Sequence, residues 1–386
     1  MTNAVHRRLG DLLNLKRGYD LPENQRRSGP YPVISSAGIT GFHDEYMVDG
    51  QGVVTGRYGT LGEMYYVNGK YWPHNTALYV ATFKDNDPKY IYYLLSCLGR
   101  IRTSDKSAVP GVNRNELHEM AVPAITDKDQ QKKIAAVLTA LDAKIDCNNR
   151  INAELEAMAK TLYEYWFVQF DFPDGNGKPY KSSGGKMVYN AMLKREIPEG
   201  WEDGSLWGIA RYFNGLAMQK YRPIYSDYLP VIKIKEMGEG LSASTEKARP
   251  DIPQDAIVDD GDVLFSWSAT LDVKIWSQGK GALNQHIFKV TSNKYPKTFY
   301  YFELLRYLTH FKMMAEKRKT TMGHITHDHL KQSRICIPPI ELIDIAHERI
   351  APIFKKHLMN AKDNQQLAQL RDWLLPLLMN GQVTVV

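Results

Sequence analysis

The sequence has few cysteines and no long apolar segment. Only Cys97, Cys147 and Cys336 are present, far apart along the chain. An odd number at such spacing disfavours a disulfide framework or a cysteine metal site, and it predicts buried, reduced thiols in the cytoplasm. No apolar run reaches about 18 residues, which excludes a transmembrane helix. Residues 1–8 lack the apolar core of a signal peptide, so we expect a cytoplasmic protein without membrane association.

The familiar catalytic signatures are also missing. Residues 184–187 read Gly-Gly-Lys-Met, which lacks the upstream glycine and the final Ser or Thr of a phosphate-binding loop. Residues 87–90 read Asp-Pro-Lys-Tyr and depart at the third position from the Asn/Asp-Pro-Pro-aromatic motif of amino methylation. HExxH, paired CxxC and GxSxG motifs do not occur. We therefore predict no catalytic residue, no metal and no cofactor in this chain.

One cluster of metal-type side chains needs a separate interpretation. It consists of His324, His327, Asp328 and His329. A metal requires ligands that converge on one point, whereas Asp328 and His329 are adjacent in a predicted loop. The favoured interpretation is a polar or phosphate-contacting loop, with a metal site as the alternative.

What is present is the composition of an ordinary globular protein. Hydrophobic residues make up 43% and charged residues 24% of 386 residues, which is enough for two or three domains. The net charge is +6 and the isoelectric point is near 8.9. This mildly basic balance is weak evidence for a polyanionic partner.

The chain repeats itself. Six segments of its first half recur in the same order in its second half, with an offset that drifts from 197 to 215 residues. The pairs are Leu9–Leu12, followed by Lys16–Gly18, with Leu206–Ile209, followed by Phe213–Gly215; Tyr31–Ile34 with Leu229–Ile232; Gly52–Thr55 with Asp262–Phe265; His74–Ala77 with Leu283–His286; Pro88–Tyr93 with Pro296–Tyr301; and Val122–Pro123 with Ile337–Pro338. A period near 200 residues is too long for a solenoid, so it predicts two whole domains of related fold.

Each globular half is predicted to be α+β. Short β-rich runs at 52–55, 63–67 and 76–83 alternate with turn residues, and a helix from Pro88 to Arg100 carries an apolar face. The predicted segments are a first domain at 1–125, a first spacer helix at 126–170, a linker at 171–200, a second domain at 201–338, and a second spacer helix with the C-terminus at 339–386.

Two long helices are predicted from heptad spacing. The first begins near a capping pair, Asp127 and Gln130, and the second follows Pro339. Core positions recur every seven residues at Ile134, Leu141, Asn148, Leu155 and Leu162, and at Ile353, Asn360, Leu367 and Leu374. Such patterns need a partner helix, and a two-fold relation between the halves would make the two helices antiparallel, as a coiled-coil spacer with pseudo-two-fold symmetry.

Asn148 and Asn360 interrupt the apolar stripes. A buried asparagine would fix the pairing register, whereas the alternative is that both side chains face solvent at a helix crossing. A helix from Ile134 to Trp166 would be roughly 50 Å long. Such a rod spans roughly 14 base pairs of duplex, which suggests two readers held at a fixed separation.

The linker is the most specific segment. Residues 165–173 read Tyr-Trp-Phe-Val-Gln-Phe-Asp-Phe-Pro, residues 177–185 read Gly-Lys-Pro-Tyr-Lys-Ser-Ser-Gly-Gly, and residues 197–201 read Ile-Pro-Glu-Gly-Trp. Together with the duplicated layout, these segments closely resemble the specificity (S) subunit of type I restriction-modification systems. The resemblance covers essentially the whole chain.

The resemblance implies a non-catalytic, sequence-specific DNA-binding subunit. Each half would be a target recognition domain that reads one half of an asymmetric bipartite site in double-stranded DNA. The helices would bind two adenine-N6 methyltransferase (M) subunits, which hold S-adenosylmethionine. Separate restriction and translocation (R) subunits would use ATP and magnesium for cleavage.

The resemblance also implies a DNA-facing loop. That loop matches residues 56–60, Gly-Arg-Tyr-Gly-Thr, whereas the second half has Ser-Trp-Ser-Ala-Thr at 266–270 and has lost the glycines and the arginine. If the loops are equivalent, their contacts with DNA must differ in kind.

Candidate DNA-binding residues follow from base and phosphate chemistry. Arginine pairs with guanine, asparagine or glutamine pairs with adenine, and basic side chains neutralise phosphates. In the first half the candidates are Arg57, Tyr58, Asn75, Asn113 and Arg114, with Lys16 and Arg17 as phosphate contacts. In the second half they are Lys220, Tyr221, Arg222, Trp267, Lys274, His324 and His327. A solvated surface lysine and a structurally hydrogen-bonded Asn75 are the non-functional alternatives.

Two other functions are compatible with parts of the sequence. One is a helical scaffold or interaction protein that does not read DNA. The other is a nuclease-like enzyme with an unfamiliar site around the histidine cluster.

Overall fold

The structure is a computed structural model that describes residues 4–57, 63–98, 113–317 and 324–385. The chain divides into two compact units. Unit 1 consists of residues 1–145 and 366–386, and unit 2 consists of residues 146–365. Each unit therefore combines one globular part with a portion of both long helices. The five-segment division along the sequence stays a prediction, because these units cut across the helices.

Unit 1 contains a mixed sheet, short helices and the start of the first long helix. In chain order its elements are β1 (Val5–Arg8), α1 (Leu9–Leu12), β2 (Asn14–Arg17), β3 (Tyr31–Ser35), β4 (Gly38–His43), β5 (Val48–Gly56), β6 (Met64–Pro73), β7 (Ala77–Thr82), α2 (Pro88–Cys97), α3 (Arg114–Glu119), β8 (Ala121–Ala124) and the beginning of α4 (Lys128–Phe167). Six strands form one sheet in the order β2-β7-β5-β6-β3-β4, and β1 pairs with β8.

The core of unit 1 lies between this sheet and its helices. Helix α2 begins at Pro88, as predicted, and the Asp87 side chain caps it by accepting from Tyr90 N at 2.9 Å. Ile91, Leu94 and the ring of Tyr90 are buried against the sheet. The predicted strands at 52–55, 63–67 and 76–83 lie at β5, β6 and β7.

Unit 2 begins with the second part of α4 and a linker hairpin, and its later elements follow the order of unit 1 with an added helix, α6, and with two strands divided. The elements after α4 are β9 (Met187–Asn190), β10 (Arg195–Pro198), β11 (Glu202–Ser205), α5 (Leu206–Ile209), β12 (Arg211–Asn214), β13 (Leu229–Ile232), α6 (Ile234–Glu239), β14 (Lys247–Ala248), β15 (Ile257–Val258), β16 (Val263–Ser266), β17 (Asp272–Ile275), β18 (Gly281–Leu283), β19 (Ile287–Thr291), α7 (Lys297–Lys317), α8 (His327–Gln332), β20 (Arg334–Ile337) and the larger part of α9 (Ile340–Met379). Strands β9 and β10 form the hairpin.

The sheet of unit 2 is that of unit 1 divided in two. Its two four-stranded sheets run in the orders β12-β19-β16-β17 and β14-β13-β18-β15. The long strands β5 and β6 of unit 1 correspond to the pairs β15/β16 and β17/β18. Between β15 and β16 the chain turns at Gly261, which has a φ of +88°. Glycine adopts this backbone conformation without steric cost, and the sheet is interrupted at the turn.

Backbone hydrogen bonds confirm the duplication. Gly18 N donates to Ala77 O at 3.1 Å, and Gly215 N donates to Ile287 O at 3.0 Å. The N–H of the residue after each glycine donates to the carbonyl oxygen of Pro73 in unit 1 and of Leu283 in unit 2. The same bonds correct one sequence pairing: His74 corresponds to Asn284 rather than to Leu283, so that segment was aligned one residue out of register.

The predicted long helices are α4 and α9, each of 40 residues. The first begins as predicted, because Asp127 Oδ1 accepts from both Asp129 N and Gln130 N at 2.9 Å. Within unit 1 the two helices are antiparallel and are joined by an ion pair of 2.8 Å between Asp142 and Arg371. Of the predicted core positions, Ile134 is buried and Leu141, Leu155, Leu162, Ile353, Leu367 and Leu374 are half-buried.

In unit 2 the helix pair carries a ladder of asparagines. Asn148 Nδ2 donates to Asn364 Oδ1 at 2.9 Å, and Asn360 Nδ2 donates to Asn152 Oδ1 at 2.9 Å. Asn152 in turn donates to the carbonyl oxygen of His357 at 3.2 Å. Asn148 and Asn360 are both buried. The interpretation that they face solvent is therefore wrong, and the interpretation that they are buried between the helices is confirmed.

The linker is ordered by aromatic stacking and one carboxylate. The ring of Phe172 stacks between Tyr180 at 4.6 Å and Trp201 at 5.3 Å. Asp171 accepts from Ser182 N at 2.7 Å and from Ser182 Oγ at 2.6 Å, and these hydrogen bonds lower the pKa of its carboxyl group. These linker residues thus pack against one another and order the segment between α4 and β11.

The cysteines and the apolar character of the helices bear on two of the predicted properties. All three cysteines are free thiols, but only Cys336 is buried, while Cys97 and Cys147 are half-buried. Within the described ranges, none of the helices combines the length and the apolar character needed to span a bilayer.

Candidate nucleic-acid interface

In unit 2 the candidate interface is built around Trp267, which follows β16. Its indole Nε1 donates to Asn214 Oδ1 at 2.9 Å, at the end of strand β12, which lies on the far side of β19 in the same sheet. Its backbone is fixed on both sides, because Trp267 N donates to His286 O at 3.3 Å and Ile325 N donates to Trp267 O at 2.9 Å. The ring is therefore held in place at the rim of the sheet with part of its surface exposed.

Histidine and tryptophan rings extend this rim. The His324 ring meets Trp267 edge-on at 5.3 Å, and the His286 ring lies 5.7 Å from it. The His327 ring lies 4.6 Å from the ring of Trp207. All three histidines are exposed. The arrangement offers flat rings and N–H donors to a ligand, which suits stacking on bases and contact with phosphates.

The prediction of a loop at Asp328 and His329 is wrong, because both residues lie in a helix. Residues 327–332 form helix α8, with Thr326 as its N-cap residue and His329 Nδ1 within 3.0 Å of Thr326 N. The cap uses His329, whereas His324 and His327 contact different tryptophans. Over the residues that the structure describes, no group of three metal-type side chains is placed to hold a metal ion.

Tyr212 supports Trp207 from the buried side. The two rings stack at 5.8 Å, and the Tyr212 hydroxyl donates to Leu206 O at 2.9 Å. Burial raises the pKa of Tyr212, so the hydroxyl stays protonated and remains a donor. Lys331 lies 5.7 Å from the Trp207 ring and adds a positive charge beside it.

In unit 1 the equivalent position brings together Arg17, Arg57 and Asn75. Arg17 Nε donates to Asn75 O at 3.3 Å, and Arg57 N donates to Thr76 O at 2.9 Å. The Asn75 side chain donates to Asp20 Oδ1. The amide nitrogen of Asn75 is therefore hydrogen-bonded within the fold, which is what the non-functional interpretation of this residue predicts. Tyr58 lies outside the described residues.

The other candidates of unit 1 lie on β2 and α3. Lys16 and Arg17 are exposed on β2, and α3 lies beside that strand because Leu15 N donates to His118 Nε2 at 2.9 Å. Asn113 caps α3 by accepting from Asn115 N at 3.0 Å. The side-chain oxygen of Asn113 therefore has a structural role, whereas the side chain of the neighbouring Arg114 is exposed.

The remaining candidates of unit 2 are divided. Lys220 and Arg222 are exposed, and Tyr221 is half-buried under the guanidinium of Arg249, 5.4 Å from the ring centre. Lys274 is placed elsewhere: its Nζ donates to Met237 O at 3.1 Å and to Gly238 O at 3.2 Å. Because the ammonium is bound by the carbonyls at the end of α6, the structure gives Lys274 a role within the fold.

Sequence reasoning missed Trp207, His286 and the exposed loop at 222–228. Trp207 occupies the position of Gly10 in the first unit, and that replacement of glycine by tryptophan on an exposed helix was the available signal. His286 corresponds to Thr76, and the register error at His74 hid this pairing. The loop is a run of seven exposed residues with two tyrosines.

The same three backbone positions thus carry different chemistry in the two units. Arg17, Arg57 and Asn75 of unit 1 correspond to Asn214, Trp267 and Gln285 of unit 2, because equivalent backbone hydrogen bonds are made in both units.

Comparison with known protein families indicates what these positions could bind. Residues 1–157 and 198–370 both match the model of the type I restriction modification DNA specificity domain.

The chain belongs to this family. Because the specificity domain is matched twice, each of its two copies takes in one globular half and most of the helix that follows it. The duplicated α+β fold and the two long helices are therefore the fold of a DNA specificity domain in two copies. The DNA specificity of the family makes the rim around Trp267 in unit 2 a candidate interface, and likewise the equivalent position at Arg57 in unit 1.

Named relatives agree with the family. The chain is 27% identical over 314 residues to the type I restriction enzyme MjaIX specificity subunit of Methanocaldococcus jannaschii, with 77% of this chain and 69% of that protein covered. It is 25% identical over 320 residues to the HindI specificity subunit of Haemophilus influenzae, with 67% and 68% covered. A solved S subunit from M. genitalium has the same fold, with a TM-score of 0.60 at 14% identity over 98% of this chain and 96% of that one.

Proposed function

We propose that this chain is the specificity subunit of a type I restriction-modification complex, working in the cytoplasm. Each globular half reads one half of an asymmetric bipartite site in double-stranded DNA. The observation that carries the proposal is the rim at equivalent backbone positions, which holds Arg57 and Asn75 in one unit and Trp267 and Gln285 in the other. A shared scaffold with different reading groups is what two different half-sites require.

The proposed chemistry belongs to partner subunits. The methyltransferase subunits bind S-adenosylmethionine and methylate adenine, and the restriction subunits use ATP and magnesium to translocate and cleave. The chain itself supplies DNA recognition and no catalytic group.

Exposed apolar side chains on the long helices support partner binding. Ile151 and Met158 of α4 and Met359 of α9 are exposed in unit 2, and Trp373 of α9 is exposed in unit 1. Large apolar groups on a helix surface are typical of protein interfaces. We propose that they contact the two methyltransferase subunits.

The proposal is tested by mapping N6-methyladenine across the genome of cells that carry this chain with its partner subunits. We expect a bipartite motif that disappears when the chain is deleted. Trp267→Ala or His327→Ala is expected to relax or abolish recognition of one half-site, and Arg57→Ala is expected to affect the other half-site. Cells with His310→Ala, an exposed histidine of α7 whose ring lies beside Tyr307 and Phe311, serve as the matched control.

Three results would contradict the proposal. One is a methylation pattern that does not depend on this chain. The second is cleavage of DNA by the purified chain alone with a divalent metal, lost in His327→Ala, which would favour a nuclease. The third is an absence of salt-dependent affinity for duplex DNA, which would favour a helical scaffold.

A further inference from the structure

The loop at 222–228 exposes large side chains at its tip. Tyr225 is 83% exposed and Ile224 is 67% exposed. By contrast, Tyr212, Tyr295 and Tyr300 of the same unit are buried in its core. An aromatic ring that is almost fully exposed adds little to the stability of the fold, so its contribution is expected in a complex.

The loop is surrounded by positive charge. Lys220 and Arg222 are exposed at its start. On the returning side, Lys247 Nζ lies 3.8 Å from the centre of the Tyr228 ring. Within the loop the acidic residue is Asp227. Basic groups around exposed apolar ones fit a polyanion with flat bases, whereas the cores of protein interfaces are depleted in lysine.

The loop leaves the sheet at the candidate interface. After Asn214, Leu216 N donates to Leu283 O at 2.9 Å and Gln285 N donates to Leu216 O at 3.0 Å. The chain then forms a 3-10 turn at Met218–Lys220 and enters the loop. Its base is fixed, because Arg249 N donates to Tyr221 O at 2.8 Å. The exposed tip therefore extends from a fixed base, on a chain segment whose start at Asn214 is hydrogen-bonded to Trp267.

We infer that Ile224 and Tyr225 form a wedge that enters the DNA half-site read by unit 2 and partly unstacks one base step. This inference rests on the proposed function. Apolar and aromatic side chains that insert between base pairs are a known means of deforming duplex DNA. The surrounding lysines and arginine would neutralise the phosphates on either side of the deformed step. The wedge would thus read the deformability of its half-site in addition to base edges.

The test uses the full complex and duplexes that contain the mapped motif. 2-Aminopurine, whose fluorescence rises when it unstacks, replaces one adenine at a time. For the wild type we expect enhanced fluorescence at one step within a single half-site. Tyr225→Ala is expected to lose this enhancement and to bind about ten-fold more weakly, as for the loss of one base–aromatic stack.

Tyr189→Ala is the matched control, because Tyr189 is 64% exposed on the linker hairpin. It should leave both readouts unchanged. The inference is overturned if Tyr225→Ala keeps the fluorescence and affinity of the wild type. It is also overturned if Tyr225→Ala binds DNA normally but no longer copurifies with the methyltransferase subunits, since the loop then contacts protein. If the wild-type complex produces no methylated motif, the proposed function itself fails, which is a distinct result.

Discussion

Asn360 and Asn152 hydrogen-bond to each other across the two long helices of unit 2, with 2.9 Å between Asn360 Nδ2 and Asn152 Oδ1. Both side chains are buried, and the buried Asn148 adds a second such bond, to Asn364, in the same helix pair. A slipped register would leave these amides without partners, at the cost of desolvating them. The pair therefore selects one alignment of the helices among those that the apolar positions alone would permit.

The first prediction concerns this pair. Asn360→Ala is expected to lower the free energy of unfolding by about 1–3 kcal/mol, because Asn152 Oδ1 stays buried without a donor. The measurement is urea unfolding followed by circular dichroism. Replacing both residues by leucine is expected to recover most of the loss, since no polar group is then left unpaired. Equal destabilisation in the single and double variants would contradict the explanation.

The second prediction concerns Gly18 and Gly215. A Cβ atom on Gly18 would lie 2.2 Å from His74 O, and one on Gly215 would lie 2.3 Å from Asn284 O. Each alanine substitution is expected to destabilise its own unit by about 1–3 kcal/mol, because the backbone must move to relieve the overlap. Gly175→Ala is the control, because its Cβ would meet open space. Thermal unfolding as stable as that of the wild type in Gly18→Ala would count against the close approach.

The third prediction concerns phosphate contacts on β2. Lys16→Ala and Arg17→Ala are each expected to weaken DNA binding similarly for all sequences. Each should also reduce the slope of log affinity against log salt concentration by about 1, because one fewer counterion is released. Affinity measured over a series of salt concentrations provides the test. Lys178→Ala, on the exposed linker, should leave the slope unchanged, and an unchanged slope in Arg17→Ala would remove that residue from the interface.

The fourth prediction concerns acid sensitivity of unit 1. Partial burial lowers the pKa of both His74 and His118 from 6.5, the ordinary histidine value. The unfolded chain then binds protons more readily, so this part of the stability is present above about pH 6.5 and is lost as the pH falls through the lowered values. His118→Gln keeps an acceptor for Leu15 N but cannot titrate. We expect it to lose less stability than the wild type between pH 7 and pH 5 in thermal unfolding, and an identical loss would contradict the role of His118.

Local and periodic features could be predicted from the sequence. The seven-residue spacing predicted both long helices, and Asp127 marked the beginning of the first. The duplication was found because each copy retains the residues that its turns require, such as Gly18 and Gly215. Both glycines are needed where a strand end passes against a carbonyl group, and this requirement preserves them in the two copies.

Long-range features could not be predicted. The hydrogen bond between Asn75 and Asp20 joins residues 55 positions apart, and no local pattern indicates it. Lys274 was chosen for its charge, although its binding to the carbonyls of α6 depends on a helix that was not predicted. The register error at His74 arose because aligning identical asparagines favoured a pairing that the backbone hydrogen bonds do not make.

The pairing of β1 with β8, and of β11 with β20, has a consequence for how such chains change. Each pairing places the first strand of a globular half directly beside its last strand, Val5 opposite Ala124 and Glu202 opposite Ile337. The two ends are joined through backbone hydrogen bonds, which make little demand on side-chain identity. Because the chain enters and leaves each half at one pair of strands, the interior of the half can vary while the point at which the following helix departs stays the same.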